Sequence, residues 1–316
     1  MEMQQNLTKI NILVAVIFIL LAQLVTGINI TGSKYIIETT PILVLVESRF
    51  IIGALFLVVV FLCLSKKKKK AEFAAVKTLN KKQWLVLIGQ ALGGGALFNL
   101  IMLAGVQFTS ASMAGVITST LPAMVLVLMF LLLGVRLTPL KIICVCLAIL
   151  GLIIININGI IQPKITGLNL LGDFIVFLSM IPEAMYYVLV KAMPLHIKPL
   201  TNALLVNIIN AVFVAPFMFC THYDTLYKLS ALQYWIILLL GIVSGLFYLF
   251  WTKGCQYLEA STTGMMTALM PIFTLILSWL FLSETINLTQ TLAMFLIIGS
   301  IIVGNWRRKR RKLDKF

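Results

Sequence analysis

The sequence predicts an all-α membrane protein, with ten transmembrane helices arranged as two inverted five-helix repeats. Three observations predict it: a composition too apolar for a soluble domain, apolar runs of bilayer length, and a gapless internal repeat. Of the 316 residues, 61% are hydrophobic and only 11% are charged. A soluble domain of this size carries about a quarter of its residues charged. A hydrocarbon core of about 30 Å needs about 20 apolar residues per helix. Ile10 to Ile30 and Trp84 to Val106 meet that length without a charge.

Hydropathy and helix breakers place the spans near 10–32, 41–64, 83–106, 110–133, 138–157, 168–191, 199–221, 232–254, 260–282 and 288–306. The connections are short, which leaves no room for a soluble domain. The polar start, Met1 to Lys9, lacks a small-residue cleavage site, so the first span reads as retained. Ten spans put both termini on one side. Of the 25 Lys and Arg, 21 then fall on that side, 3 (Lys34, Lys164 and Lys228) on the other, and Arg49 lies inside span two. Basic residues accumulate on the cytoplasmic side, so both termini are expected in the cytoplasm and the protein in the plasma membrane.

The net charge of +15 sits largely in Lys66 to Lys70 and Arg307 to Lys312, each directly after an apolar segment. That is the placement of juxtamembrane cations at anionic headgroups, not of a nucleic-acid surface. The expected partners are a small-molecule substrate and membrane lipids, with a homodimer left open and nucleic acid excluded. Five cysteines (Cys63, Cys144, Cys146, Cys220, Cys255) are scattered through apolar stretches and read as small hydrophobes. No metal or other cofactor is expected.

The stretch 97–122 aligns without gaps to 246–271 at a constant offset of 149, with 10 identities in 26 positions, among them Gly105, Gln107, Gly115 and Pro122. A rougher match pairs Lys34 with Lys191, and the repeats divide as 1–160 and 161–316, the second ending in the basic tail. Five spans is an odd number, so the second copy enters the membrane upside down. Inverted repeats are an architectural signature of secondary transporters, because two similar halves can exchange roles around one central site.

At these residues the chain resembles the drug/metabolite transporter superfamily, its EamA-type members in particular. Gly254 to Ile286, with GCQYLEAST, Pro271 and the ending FLSETI, carries the most specific part of the likeness. In the first half, LPAMVLVLMFLLLGVRLTPLK is similar, and Arg49 sits where a second-helix arginine recurs. The resemblance implies a ten-helix carrier of diverse possible cargo, since a fold does not fix its ligand. One departure is Val135, which stands where Glu284 stands in the second half. If Glu284 closes one face, its twin at the other face is missing.

Glu183 is the polar residue that says most. It lies deep in span six, after Pro182, at a depth where a carboxylate costs about 2.5–3.5 kcal/mol to insert. It should therefore face a cavity or a partner. Tyr186 and Tyr187 follow at i+3 and i+4 on the same helical face. A carboxylate beside aromatic rings suits an amine, through cation–π attraction, or a proton; a neutral glutamic acid bridging two helices is the competing reading. Asn207 and Asn210 share a face of span seven. Ser244, Tyr248 and Trp251 form a stripe in span eight, whose repeat partners include Asn99. Gln23, Thr26 and Asn29 lie in span one. Each amide alone also reads as interhelical glue worth roughly 1 kcal/mol; several polar faces together favour a wet central cavity.

The expected substrate-binding set is thus Glu183, Tyr186, Tyr187, Asn207, Tyr248, Trp251, Asn99 and Gln23. The expected gating or structural set is Arg49, Glu47, Glu284, Lys34 and Lys191. Arg49 and Glu47 are two apart and should not pair; Arg49 either binds helix-end carbonyls or attracts an anionic group. Gly93 to Gly95 permit either close helix contact or a hinge. No catalytic residues are expected: three aspartates, two histidines and no P-loop support neither metal-diphosphate chemistry, a Ser–His dyad, nor ATP use. The function that remains is alternating-access transport of a small metabolite, best an amino acid or other amine-bearing compound, with proton coupling plausible. A lipid flippase and a non-transporting scaffold are the alternatives.

Overall fold

In the computed structural model, residues 2–134, 167–192, 195–218, 229–258 and 269–286 are described, with single positions at 263, 266, 267, 288, 291, 292, 295 and 299. The predicted fifth span, nearly all of the tenth, Val135 and the basic tail lie outside them. Within the described residues the regular elements are helices. They are α1 (Glu2–Ile36), α2 (Ile42–Leu62), α3 (Lys66–Lys77), α4 (Lys81–Leu92), a π-helical turn (Gly93–Leu97) and α5 (Phe98–Val106). There follow α6 (Ala111–Thr118), α7 (Leu121–Leu133), α8 (Gly167–Ala192), α9 (Pro199–Met218), α10 (Ala231–Cys255) and α11 (Leu269–Leu282).

Among the described residues, seven stretches are long and apolar enough to cross a membrane: Asn11–Ile36, Ile42–Leu62, Lys81–Val106, Ala111–Leu132, Gly167–Val190, Pro199–Met218 and Ala231–Cys255. The apolar α11 is shorter. The outside of the bundle is apolar, with Leu55, Val59, Phe174, Val212, Trp235 and Phe281 exposed. Its inside carries Glu183, Arg49, Asn207 and Asn210, all buried. Such an inversion of the soluble pattern is stable only where lipid is the outer solvent.

Helices of the two halves interleave. α1 packs on α10 and α11, α2 on α9 and α10, and α5 on α8. The repeat partners α5 and α10 run in opposite directions along α1. Val106, at the end of α5, accepts a hydrogen bond from Lys34 near the end of α1. Gly254, near the end of α10, instead packs on Ala15 and Ile19 towards the start of α1.

Local chemistry repeats too. α4 and α10 both begin with a reciprocal capping box, Asn80 with Gln83 and Ser230 with Gln233. Such a box pairs two backbone N–H groups that a helix start leaves without partners. Among the described residues, the two with positive φ are Gly134 (61°) and Ser283 (53°), which stand 149 positions apart. Both close the helix that follows the repeat segment, in the left-handed conformation that reverses the chain. Glycine adopts it freely, whereas Ser283 holds it at a cost of about 1 kcal/mol or more.

The run Lys66 to Lys70 lies in the connection between the second and third spans and is helical. It opens α3, whose Glu72 is buried against the start of α9: its carboxylate bonds Lys198 Nζ at 2.6 Å and accepts from Thr201 Oγ1 at 2.7 Å. The end of the bundle that carries α3 is termed the basic face, and the opposite end the far face.

Candidate functional site

The site is built on a broken helix. At Gly93 to Gly95 the α4–α5 rod passes through the π-helical turn, and Gly95 takes φ −115° and ψ −105°. The break frees backbone groups in mid-bundle, where each must find a partner. Tyr248 Oη donates to Gly94 O at 2.6 Å, Asn99 Nδ2 to Gly95 O at 2.8 Å, and Ala96 N to Asn210 Oδ1 at 2.8 Å. The glycines also serve contact: a Cβ on Gly94 would lie 2.5 Å from the Tyr186 ring, and one on Gly95 2.1 Å from Asn210 Nδ2. The kink and the close approach coincide at these glycines. The sequence showed the glycines and the polar residues but not that they answer one another.

Around this break lies a central cavity of about 30 Å³, lined by Glu183, Arg49, Asn99, Tyr248, Thr26, Asn29 and Ser244 together with Phe98, Met102 and Phe247. Glu183 is 1% exposed and Arg49 4%. They form no ion pair with each other; among the described residues the ion pair is Lys198 with Glu72. Arg49 donates to Asn99 Oδ1 at 2.8 Å and to Ser33 Oγ at 3.3 Å, while its Nε and one oxygen of Glu183 have no hydrogen-bond partner among the described residues. Of the two roles weighed for it, helix-end carbonyls or an anionic group, the described partners of Arg49 are neither: they are side-chain oxygens of Asn99 and Ser33. A buried polar atom left unmade costs about 1–3 kcal/mol, more when charged. An acid and a base, each part-satisfied, thus face one small space.

The remaining expected residues are not all brought there. Tyr186 and Tyr187 are buried, but behind the cavity wall: Tyr186 packs on Gly94 and edge-on to Tyr248, and Tyr187 edge-on to Trp251 at 4.4 Å. The Tyr187 hydroxyl neighbours Glu183 and Gln23. Gln23 is fully buried, and its amide and Trp251 Nε1 have no hydrogen-bond partner among the described residues. Asn207 stands away from the cavity lining. Its Nδ2 donates to Ala203 O, and its Oδ1 lies 2.7 Å from where a Cβ of Gly53 would stand, at the crossing of α2 and α10. Residues three apart on a helix differ by about 60° in direction, enough to send Asn210 to the break and Asn207 to that crossing. Glu47 is buried without lining the cavity. Lys191 lies in the last turn of α8, and its side chain is outside the described ones.

The two faces differ. At the far face the chain is closed by charge on helix ends. Glu284, aimed by the turn at Ser283, accepts from Ala111 N at 3.0 Å and Ser112 N at 2.7 Å, while Ser110 Oγ takes Met113 N. Three of the unpartnered N–H groups at the start of α6 are thereby satisfied, and the carboxylate meets the positive end of the helix dipole. Lys34 Nζ caps the carbonyl of Val106 at 2.8 Å, and Thr109 Oγ1 donates to Asp173 at 2.6 Å. At the basic face there is instead a vestibule of about 470 Å³ between α4, α8, α9 and α10. Gln90, Asn202 and Thr252 line it, residues the sequence reading had placed in no site.

A polytopic helical bundle with a helix broken at mid-depth, a buried polar centre and one face more closed than the other has the architecture of a membrane carrier. The pattern of the EamA-like transporter family matches residues 13–157 and again 170–306. The chain belongs to that family, within the drug/metabolite transporter superfamily its motifs resemble. It is 27% identical over 292 residues to an uncharacterized transporter, YetK, of Bacillus subtilis, covering 92% of this chain and 86% of that one. An uncharacterized transporter of Archaeoglobus fulgidus is 25% identical over 292 residues, covering 90% and 97%. A solved crystal structure superposes with a TM-score of 0.67 over 94% of this chain and 97% of the other; at 14% identity it is alike in fold. The protein is thus a multi-pass integral membrane transporter of this family.

Proposed function

We propose that the protein is a secondary transporter whose central cavity takes a zwitterionic metabolite, an amino acid in its simplest form. The observation that carries this reading is the pair Glu183 and Arg49, which line one cavity without pairing to each other. A carboxylate suits an ammonium group, and a guanidinium suits a carboxylate in a two-point contact. Both charges are already desolvated, so a ligand bearing the complementary pair satisfies both at once. Without it, Glu183 can carry a proton, which links substrate binding to proton release.

The cavity at about 30 Å³ has room for one or two waters rather than a metabolite. Loading therefore requires the wall formed by Tyr186, Tyr187 and Trp251 to move, as alternating access demands. The 21 to 3 distribution of Lys and Arg supports a plasma-membrane orientation with both termini and the vestibule facing the cytoplasm.

The test is a thermal-shift screen of the purified protein followed by transport in proteoliposomes. Amino acids should raise the melting temperature, whereas their amine-only and acid-only analogues should do so much less. Glu183→Gln keeps the shape and removes the titratable charge; it should insert normally and lose coupled transport by about two orders of magnitude. Near wild-type transport by that variant, or stabilisation by phospholipid headgroups alone, sinks the reading.

A further inference from the structure

We propose that the vestibule at the basic face is a second binding site, for an uncharged group rich in amides or hydroxyls, divided from the Glu183 cavity by the Tyr187–Trp251 pair. As an outer station for cargo it rests on the carrier reading; as a binding site it does not. Its volume of about 470 Å³ lies within the range of small-molecule sites, about 300–1,000 Å³. Among the described residues its polar lining is neutral: Gln90, Asn202, Thr252, Gln256 and Tyr257, with Ile197 among its apolar residues. Of the charges beside it among the described residues, Glu72 and Lys198 are paired with each other, and Lys253, next to Thr252, lies over the Phe18 ring at 4.3 Å.

Asn202 is the residue that makes this a site rather than a mouth. It is 4% exposed. Its Nδ2 is held by Thr252 Oγ1 at 3.3 Å and, more loosely, by Gln90 Oε1 at 3.5 Å. Its Oδ1 is buried with no hydrogen-bond partner among the described residues. A fixed, desolvated acceptor on a residue of the cavity wall, among described neighbours that carry no charge, can recognise an N–H or O–H donor without asking for charge. The centre of the molecule, with Glu183 and Arg49, has the opposite chemistry.

The division between the two follows from α10. Tyr248 lines the central cavity, while Thr252 and Cys255 line the vestibule. Trp251 falls between them, buried and edge-on to Tyr187 at 4.4 Å. At 1.5 Å rise per residue, the two spaces are about one helical turn apart, with that ring pair at the boundary.

Cys255, which lines the vestibule, supplies a native reporter. With Cys63, Cys144, Cys146 and Cys220 changed to Ala, its labelling by a water-soluble maleimide is followed in the purified protein. The additives are N-acetylglycinamide, choline and succinate at equal concentration. N-acetylglycinamide should slow labelling severalfold, and choline and succinate should not. Asn202→Leu should weaken that protection about fivefold, the worth of one hydrogen bond. Thr252→Val, close in shape, should weaken it in the same direction and keeps the test decisive if Asn202→Leu does not fold. Glu183→Gln should leave it unchanged, so the vestibule and the central site fail independently. The proposal is overturned if Cys255 does not react without additive, if all three additives slow it alike, or if protection survives both vestibule variants.

Discussion

The two faces of the bundle are built from different chemistry. At the far face, charged side chains meet helix ends: Glu284 on the first N–H groups of α6, and Lys34 on the last carbonyl of α5. At the basic face, amides and hydroxyls line a space whose described lining carries no charge, and the ion pair there, Glu72 with Lys198, ties α3 to α9 beside the vestibule. The comparison teaches where a carrier can be unlocked. Charge on helix termini is directional and lost as a unit when the helix shifts, whereas neutral amides can exchange partners with water or a ligand at small net cost. The repeat makes the contrast sharper, since Gly134 and Ser283 close equivalent helices, yet the glutamate that follows Ser283 has Val135 as its twin.

The largest expected effect comes from the joint that both faces share. Gly95→Ala places a Cβ 2.1 Å from Asn210 Nδ2, and that amide cannot retreat without releasing Ala96 N. Overpacking combined with a lost buried hydrogen bond should cost about 3 kcal/mol or more, read as a lower melting temperature and loss of a monodisperse peak on size exclusion. A variant as stable as the wild type contradicts the close packing of the break.

Glu284→Ala breaks the far face alone. It leaves two N–H groups at the start of α6 without their charged acceptor, a loss of about 2–3 kcal/mol. A cysteine placed at Asn29, on the cavity wall, should then be labelled from the far side about tenfold faster, which is the kinetic equivalent of roughly half that energy. Glu284→Gln, which keeps an acceptor, should fall between the two. Unchanged labelling means the far face is closed by something else.

The smallest effect is at the clamp of the basic face. Burial alone would push the Glu72 carboxyl up, but the Lys198 and Thr201 hydrogen bonds outweigh it and hold it below its ordinary value of 4.5. Its contribution is therefore present above that ordinary value and is lost as pH falls through the lowered one. Glu72→Gln should cost about 1 kcal/mol at neutral pH, because Lys198 remains largely exposed and screened. The difference in melting temperature between variant and wild type should vanish in acid. A difference that persists there means that the clamp does not act through charge.

Part of this was legible in the sequence because membrane insertion makes composition a strong constraint. Span lengths, the repeat and the depth of Glu183 all follow from what lipid tolerates, and each needs only the order of residues along the chain. Asn99 and Tyr248 were placed in the centre on the same ground, as polar residues too deep to face lipid, and both line the cavity. Arg49 was in doubt between two roles because its partners, Asn99 and Ser33, come from other helices. Glu72 passed unnoticed in a charged segment that gives no sign of burying one carboxylate.

What the sequence by itself determined is the class of the molecule: apolar helical spans, seven of them seen among the described residues, their inversion between halves, and the polar residues that must avoid lipid. The tertiary structure decided which of those residues meet. It sent Asn210 to the break and Asn207 to a helix crossing, put Glu183 and Arg49 on one cavity, and set Asn202 among Gln90 and Thr252. Periodicity fixes the face of a residue only relative to its own helix, while rotation and depth against the neighbours are set by packing, here by glycines that admit one particular side chain each.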